Sequence, residues 1–179
     1  RGEPYHFGLG FIKCRLNNRF SANFYHPDLE KTAEAEEWHD HRYDFTSKIV
    51  AGTLTNVITN VTDQPHVGTL DDTPFAYNMW EAECKPGEEV KNLGCFNVGD
   101  VLTWQVLQAG SEYYMHRDAF HQVAAPDGAI TLLDRRPIVK STARVLKPID
   151  QGTPTCPYSP KKTPEEIYAL IKDLYERLK

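Results

Sequence analysis

From Phe7 to about Leu146 the chain never runs far without a breaker: short apolar or alternating segments are cut by Gly, Pro, Asn and Asp. That punctuation excludes long helices over most of the sequence and predicts an all-β domain. Phe11–Leu16, then Asn17-Asn18, then Arg19–Tyr25 has the form of a hairpin, since Asn tolerates the positive φ of a tight primed turn. Within it Phe20, Ala22 and Phe24 alternate with Arg19, Ser21 and Asn23, which predicts an apolar buried face. Further strands are expected at Ser47–Ala51, Thr53–Val61, Phe75–Glu83, Val101–Leu107, Glu112–Met115, Phe120–Ala124, Ala129–Asp134 and Ser141–Leu146. Thr62–Thr73 and Lys85–Gly99 have the composition of loops, and the proline-rich run Pro148–Pro160 that of a surface strap.

Two segments break the β pattern. Thr163-Pro164-Glu165-Glu166 is a capping box with Pro at the first helical position, and Ile167, Leu170, Ile171, Leu174 and Leu178 follow at helical spacing. This amphipathic helix must bury its stripe, either on the outside of the β domain or in a homodimer. A shorter helix is expected over Asp28–Glu37, where EKTAEAEE has strong helix propensity. Residues 1–150 then form the β domain, and 151–179 form a strap and helix packed on it.

At 179 residues one domain can bury a real core. A net charge of −5 argues against a general nucleic-acid binder, which would show a basic face. No segment approaches the ~20 apolar residues of a spanning helix, and the start lacks a signal peptide's apolar stretch. Cys14, Cys84, Cys95 and Cys156 form no CxxC pair, so reduced thiols in a cytoplasm are expected rather than a zinc finger or a disulfide scaffold. Cys156 lies in the strap between prolines, where it is a structural cysteine or a thiol laid near a site.

The chemistry concentrates in Trp38-His39-Asp40-His41-Arg42-Tyr43-Asp44-Phe45. Histidines at i and i+2 of an extended chain project to one side, where neutral imidazoles can share a first-row metal. A strand follows, then Gly52, eleven residues after His41. A second element starts a strand at Gly99-Asp100 and runs through Tyr113–Val123, with a turn at Arg117-Asp118 and His121 on the strand after it. His6, His26 and His66 have the settings of ordinary loop or strand histidines.

These two elements resemble the motifs of the cupin superfamily, over about Asp28 to Pro137. The first motif matches at His39, His41 and Gly52, the second at Gly99-Asp100 and His121. The resemblance implies a jelly-roll barrel holding one divalent metal on His39, His41 and His121, with Fe(II) favoured and Zn, Mn or Ni as alternatives. His116, five residues before His121, is the rival third ligand. The chain departs from the pattern where a glutamate is usual, since Phe45 stands there and Asp44 lies one residue earlier. It departs again where Arg117-Asp118-Ala119-Phe120 replaces a proline-glycine turn. Without the acid, the site is similar to the three-histidine cupins of the cysteine dioxygenase type. Asp44 either joins the metal or pairs with Arg42 or Arg117, and strand parity points it away from His41.

The resemblance implies a non-haem Fe(II) dioxygenase acting on a small thiol or carboxylate substrate. Arg42, Arg135 or Arg136 would clamp an acidic group, and Tyr114 or His116 would hydrogen-bond the reacting atoms. Tyr43, Tyr77, Trp80, Trp104 and Tyr114 are candidates to line the pocket or, more plainly, to fill the core. Two other classes share the fold: a metal-dependent isomerase, lyase or hydrolase with His116 or Asp44 as base, and a non-catalytic module stabilised by its metal.

Overall fold

A computed structural model describes residues 2–7, 10–29, 38–62, 76–83, 90–154 and 162–179. The expected helix at Asp28–Glu37 and the loop at Thr62–Thr73 lie almost wholly outside these residues, as do Cys156 and the second half of the strap. The described strands are β1 (Tyr5–Phe7), β2 (Phe11–Arg15), β3 (Phe20–Tyr25), β4 (Trp38–His39), β5 (Phe45–Val61), β6 (Ala76–Ala82), β7 (Lys91–Gln108), β8 (Glu112–Met115), β9 (Phe120–Ala124), β10 (Ala129–Arg135) and β11 (Ala143–Pro148). Among the described residues one helix, α1 (Pro164–Arg177), follows them.

All strand pairs are antiparallel. One sheet runs β1-β2-β3-β10-β5 with β8 on the other side of β5. The second runs β5-β7-β6-β11-β4-β9 and returns to β5, so its strands close in a ring. This is a double-sheet, jelly-roll-type barrel, in which closure leaves the second sheet no free edge among the described strands.

The two strands expected at Ser47–Ala51 and Thr53–Val61 are one 17-residue strand that belongs to both sheets. Gly52 is its corner: φ is +75°, and the register with β10 shifts beside it. A Cβ there would sit 2.3 Å from the carbonyl oxygen of Gly128, so the close approach of two backbones also requires glycine. The first half of β5 pairs with β10 and β8, the second with β7 and β9.

Two expectations fail. Lys85–Gly99 was expected as a loop, yet 91–99 belong to the 18-residue β7. Asn92 and Gly94 flank a bulge in that strand: Gly94 has φ +103° at a register shift against β6, and the Asn92 side chain accepts from its N–H at 2.7 Å. The face of β3 is also reversed. Ser21 and Asn23 are the buried residues, while Phe20, Ala22 and Phe24 are only partly buried. Phe24 packs outward against a cluster of Ile12, Leu29 and Ile167 supplied partly by α1, which leaves a polar interior face.

The helix forms as expected. Thr163 and Glu166 exchange the two bonds of a capping box, and Leu170 and Ile171 extend the contact with Ile12 and Leu29. Leu174 is fully buried beside Gly128 at the β9–β10 turn. Among the described residues no helix is long and apolar enough to cross a membrane.

Two substitutions test this architecture. Gly52→Ala should lower stability by about 1–3 kcal/mol from the left-handed backbone alone, with the contact to Gly128 adding to it. Leu174→Ala should cost about 2–5 kcal/mol, because the helix stripe loses its fully buried anchor. Urea unfolding midpoints measure both. An unchanged midpoint for either would contradict its placement.

Candidate metal centre

His39 and His121 are directly opposed residues of β4 and β9, so strand pairing alone brings them together. His41 follows on the segment that leaves β4, fixed by its N–H to the Arg117 carbonyl at 3.0 Å. The imidazole rings of His39, His41 and His121 stand 4.7–5.1 Å apart, and their ligating nitrogens lie within 4.8 Å of one another. The HxH pair therefore faces one way, as its spacing requires.

Asp40, between the two histidines, points the opposite way and is fully buried. Its carboxylate accepts from the Arg144 backbone N–H at 2.6 Å, from Arg144 Nε at 2.7 Å and from Lys140 Nζ at 2.7 Å. Its own N–H donates to the Arg144 carbonyl at 2.9 Å. The pairing of β4 with β11 is thus reinforced at the residue that separates the two imidazoles.

The inward face of β5 supplies the next contact. Asn56, fully buried, places Oδ1 2.8 Å from His121 Nδ1. An amide oxygen can only accept, so Nδ1 of His121 carries the proton and Nε2 presents its lone pair. That Nε2 lies 2.8 Å from Nε2 of His41. Burial, then His121 and His39, drive His41 well below the usual histidine range; burial, then His39, does the same to His121. Imidazole nitrogens that converge from buried His121 and half-buried His39 and His41 are the donor set a divalent first-row metal takes, so these residues fit such an ion.

Phe45, which stands in sequence where the resemblance implies an acid, borders the histidines. It is buried, with its ring 4.8 Å from that of His41 and 6.2 Å from that of His121, and forms an apolar wall. Asp44 lies outside the cluster. It accepts from the Arg117 backbone N–H at 2.9 Å and from Arg117 Nη1 at 3.2 Å, and the backbone bond chiefly holds its carboxyl below the usual range.

Other candidates stand further off. His116 is half exposed beside Asp118, and its Nδ1 accepts from the Asp118 N–H at 3.3 Å. Tyr114 is exposed and bonded to Asp44. Arg42 donates Nη1 to the carbonyls of Glu83 and Ser141 at 3.0 and 3.2 Å. Trp104 is 67% exposed, and Tyr77 packs in a second apolar cluster with Met79 and Phe96. Tyr43 does reach the site: its ring is 6.0 Å from that of His41 and carries the Arg135 guanidinium 5.1 Å above it. Trp80 shares a face with His39 through their common partner Val145. A second acidic and histidine group, His26, Asp28 and Asp173, is already bridged by Arg177, which bonds both carboxylates at 2.6 Å.

Sequence reasoning missed Asn56 and Asp40. The signal for Asn56 was present, since it sits at inward parity between Leu54 and Ile58 in an otherwise apolar row. The partners of Asp40 lie about a hundred residues away and left no local trace.

No family model and no curated protein matches the chain. Among solved structures it is similar to hydroquinone 1,2-dioxygenase from Sphingomonas sp. TTNP3 with 4-hydroxybenzoate bound, at 13% identity and a TM-score of 0.38, over 66% of this chain and 60% of that one. The chain thus spans about 60% of that enzyme's length. It is also similar to hydroquinone 1,2-dioxygenase PnpCD in complex with Cd2+ and 4-hydroxybenzonitrile, at 15% identity and a TM-score of 0.39, over 77% and 69% of the two chains. The Drosophila melanogaster CENP-C cupin domain matches at 14% identity and a TM-score of 0.19, over 70% and 75%. All three scores are below 0.5, and the barrel stands on its own strand pairing.

Three ligand variants test the site. His39→Ala, His41→Ala and His121→Ala should each abolish stoichiometric metal binding, whereas His116→Ala should largely spare it. Asn56→Leu should weaken metal affinity by about 10–100-fold through loss of the fixed tautomer. Calorimetric titration with Zn2+ or Fe2+ measures both, and exchanged outcomes for His121 and His116 would reverse the ligand assignment.

The lowered histidine pKa values also set a pH dependence. In chelator-treated protein the stability they contribute is fully present above pH ~6.5 and falls with acid, because the unfolded chain takes up protons that the folded one refuses. For His41 and His121 the slope approaches roughly 1.4 kcal/mol per pH unit each. Denaturant midpoints between pH 7.5 and 5 should fall accordingly, and fall less steeply in His121→Gln.

Proposed function

We propose that this chain is a metal-dependent oxygenase using one divalent ion, Fe(II), held by His39, His41 and His121. The observation that carries the reading is the convergence of three imidazoles, two of them held neutral, with no carboxylate joining them among the described residues. His39, His41 and His121 would hold the ion, which would supply Lewis-acid and redox chemistry toward a small substrate and O2.

The protein's own groups perform the remaining tasks. Asn56 holds the His121 tautomer through Nδ1 and keeps Nε2 available. Phe45 excludes water from one side of the imidazoles and stands in sequence where the resemblance implies an acid. Tyr43, whose ring lies beside that of His41, would hydrogen-bond a bound substrate in place of Tyr114 or His116, which stand outside the cluster. Of the arginines expected to anchor an acidic group, Arg135 at Tyr43 suits the part better than Arg42, whose Nη1 is committed to backbone carbonyls. The substrate class is a small thiol or carboxylate, and the reaction a dioxygenation.

The isomerase, lyase or hydrolase reading needs a general base. Asp44 is a weak one, since hydrogen bonds from Arg117 favour its ionised form. A purely structural metal would call for a fourth protein ligand, and the described residues bring three together.

The experiment is metal analysis of protein purified without chelator, followed by anaerobic loading with Fe(II) and oxygen uptake with a panel of thiols and dicarboxylates. Uptake dependent on one substrate, and lost in His121→Ala, is expected. Fully iron-loaded protein that consumes no oxygen with any of them would sink the reading.

A further inference from the structure

Where the barrel's inward face meets solvent, with Tyr43 between it and His41, lies a small, partly open cleft. Lys13, Arg15, Arg19 and Arg135 line it together with Ser21 and Tyr43. The strand register explains the gathering. Arg15 opposes Ser21 across β2 and β3, Ser21 opposes Leu133 across β3 and β10, and Arg135 follows Leu133 two residues on, at the same parity. Lys13 precedes Arg15 by two, and so shares its face as well.

Four cations in one cleft would ordinarily be matched by acids. Only Arg19 is, through Asp134, at 2.5 and 2.6 Å. Among the described residues Lys13, Arg15 and Arg135 have no carboxylate partner. Arg135 bonds the Asn18 carbonyl and covers the Tyr43 ring, and the Lys13 ammonium lies 5.4 Å from the Phe7 ring centroid. Burial, then Arg15 and Arg135 beside it, lowers Lys13 to about 8. Three like charges held together with one of them desolvated oppose folding, and an anion between them would relieve that opposition. Tyr43 joins the cleft to the histidines: it lines the cleft, and its ring lies 6.0 Å from that of His41.

We propose that this cleft is a binding site for a doubly charged oxyanion, of phosphate or dicarboxylate type, held by Lys13, Arg15 and Arg135. A single carboxylate would leave two of the three charges unmatched. This deepens the function proposed above by giving the substrate a remote anionic handle, with Tyr43 between the handle and His41. The binding itself needs no metal.

The test uses the full chain, treated with chelator, titrated calorimetrically with inorganic phosphate and with malonate at pH 7, and with acetate as the singly charged control. One-to-one binding of phosphate or malonate, tighter than acetate, is expected. Lys13→Met and Arg135→Gln should each weaken it by about tenfold or more, while Arg19→Gln leaves it within about twofold. Without anion, Lys13→Met should melt higher than the unmodified chain, since it removes a desolvated charge, and phosphate should raise the melting temperature of the unmodified chain and of Arg19→Gln more than that of Lys13→Met. Binding no tighter than acetate, no binding, or affinity unchanged in both Lys13→Met and Arg135→Gln overturns the proposal. Because metal is absent throughout, an inactive iron-loaded enzyme and an empty anion cleft are separate results.

Discussion

The buried carboxylate of Asp40 is the point on which the site's geometry turns. It sits between His39 and His41 and points away from both, into Lys140 and the backbone and side chain of Arg144. A buried charge is tolerable only when paired and hydrogen-bonded, and here three donors surround it. The same contacts tie the HxH segment to β11 and to the chain before it, while His39 is tied to β9 by pairing with His121. An alternating chain with its middle residue anchored behind the sheet has no choice but to present its flanking residues in front.

That front face is inside a barrel because β5 serves two sheets. Gly52 lets one strand turn from β10 and β8 toward β7 and β9, and the second sheet then closes on β5. Closure brings Asn56 behind His121 and Phe45 beside His41. One residue fixes a tautomer and the other excludes water; they stand on the same long strand, eleven residues apart, on either side of the corner.

The interior so enclosed is more polar than a core built only for stability. Ser21 and Asn23 face inward on β3, Lys13 and Arg15 on β2, and Arg135 on β10. The apolar residues of β3 are not wasted by this arrangement, since α1 covers Phe24 from outside and completes a separate cluster with Ile12 and Leu29. Capping box, helix stripe and inverted strand face are therefore parts of one solution: the helix supplies the outer cover that frees the inner face for polar groups.

Local chemistry determined much of this from sequence alone. The HxH spacing fixed the direction of two imidazoles, the capping box fixed the start of α1, and alternation with turn residues located β8 and β9 to the residue. These signals act over a few residues, so they survive without knowledge of the fold. What only the tertiary structure decided involves partners far apart in the chain. Asn56 meets His121 across 65 residues, Asp40 meets Arg144 across 104, and Asp44 turns to Arg117 across 73. Asn92 and Gly94 look like loop residues until β6 lies beside them and the register shift there makes them part of a bulge. Burial likewise depends on what covers a surface: the alternation of β3 names two faces, and only the placement of α1 against one of them says which is inside.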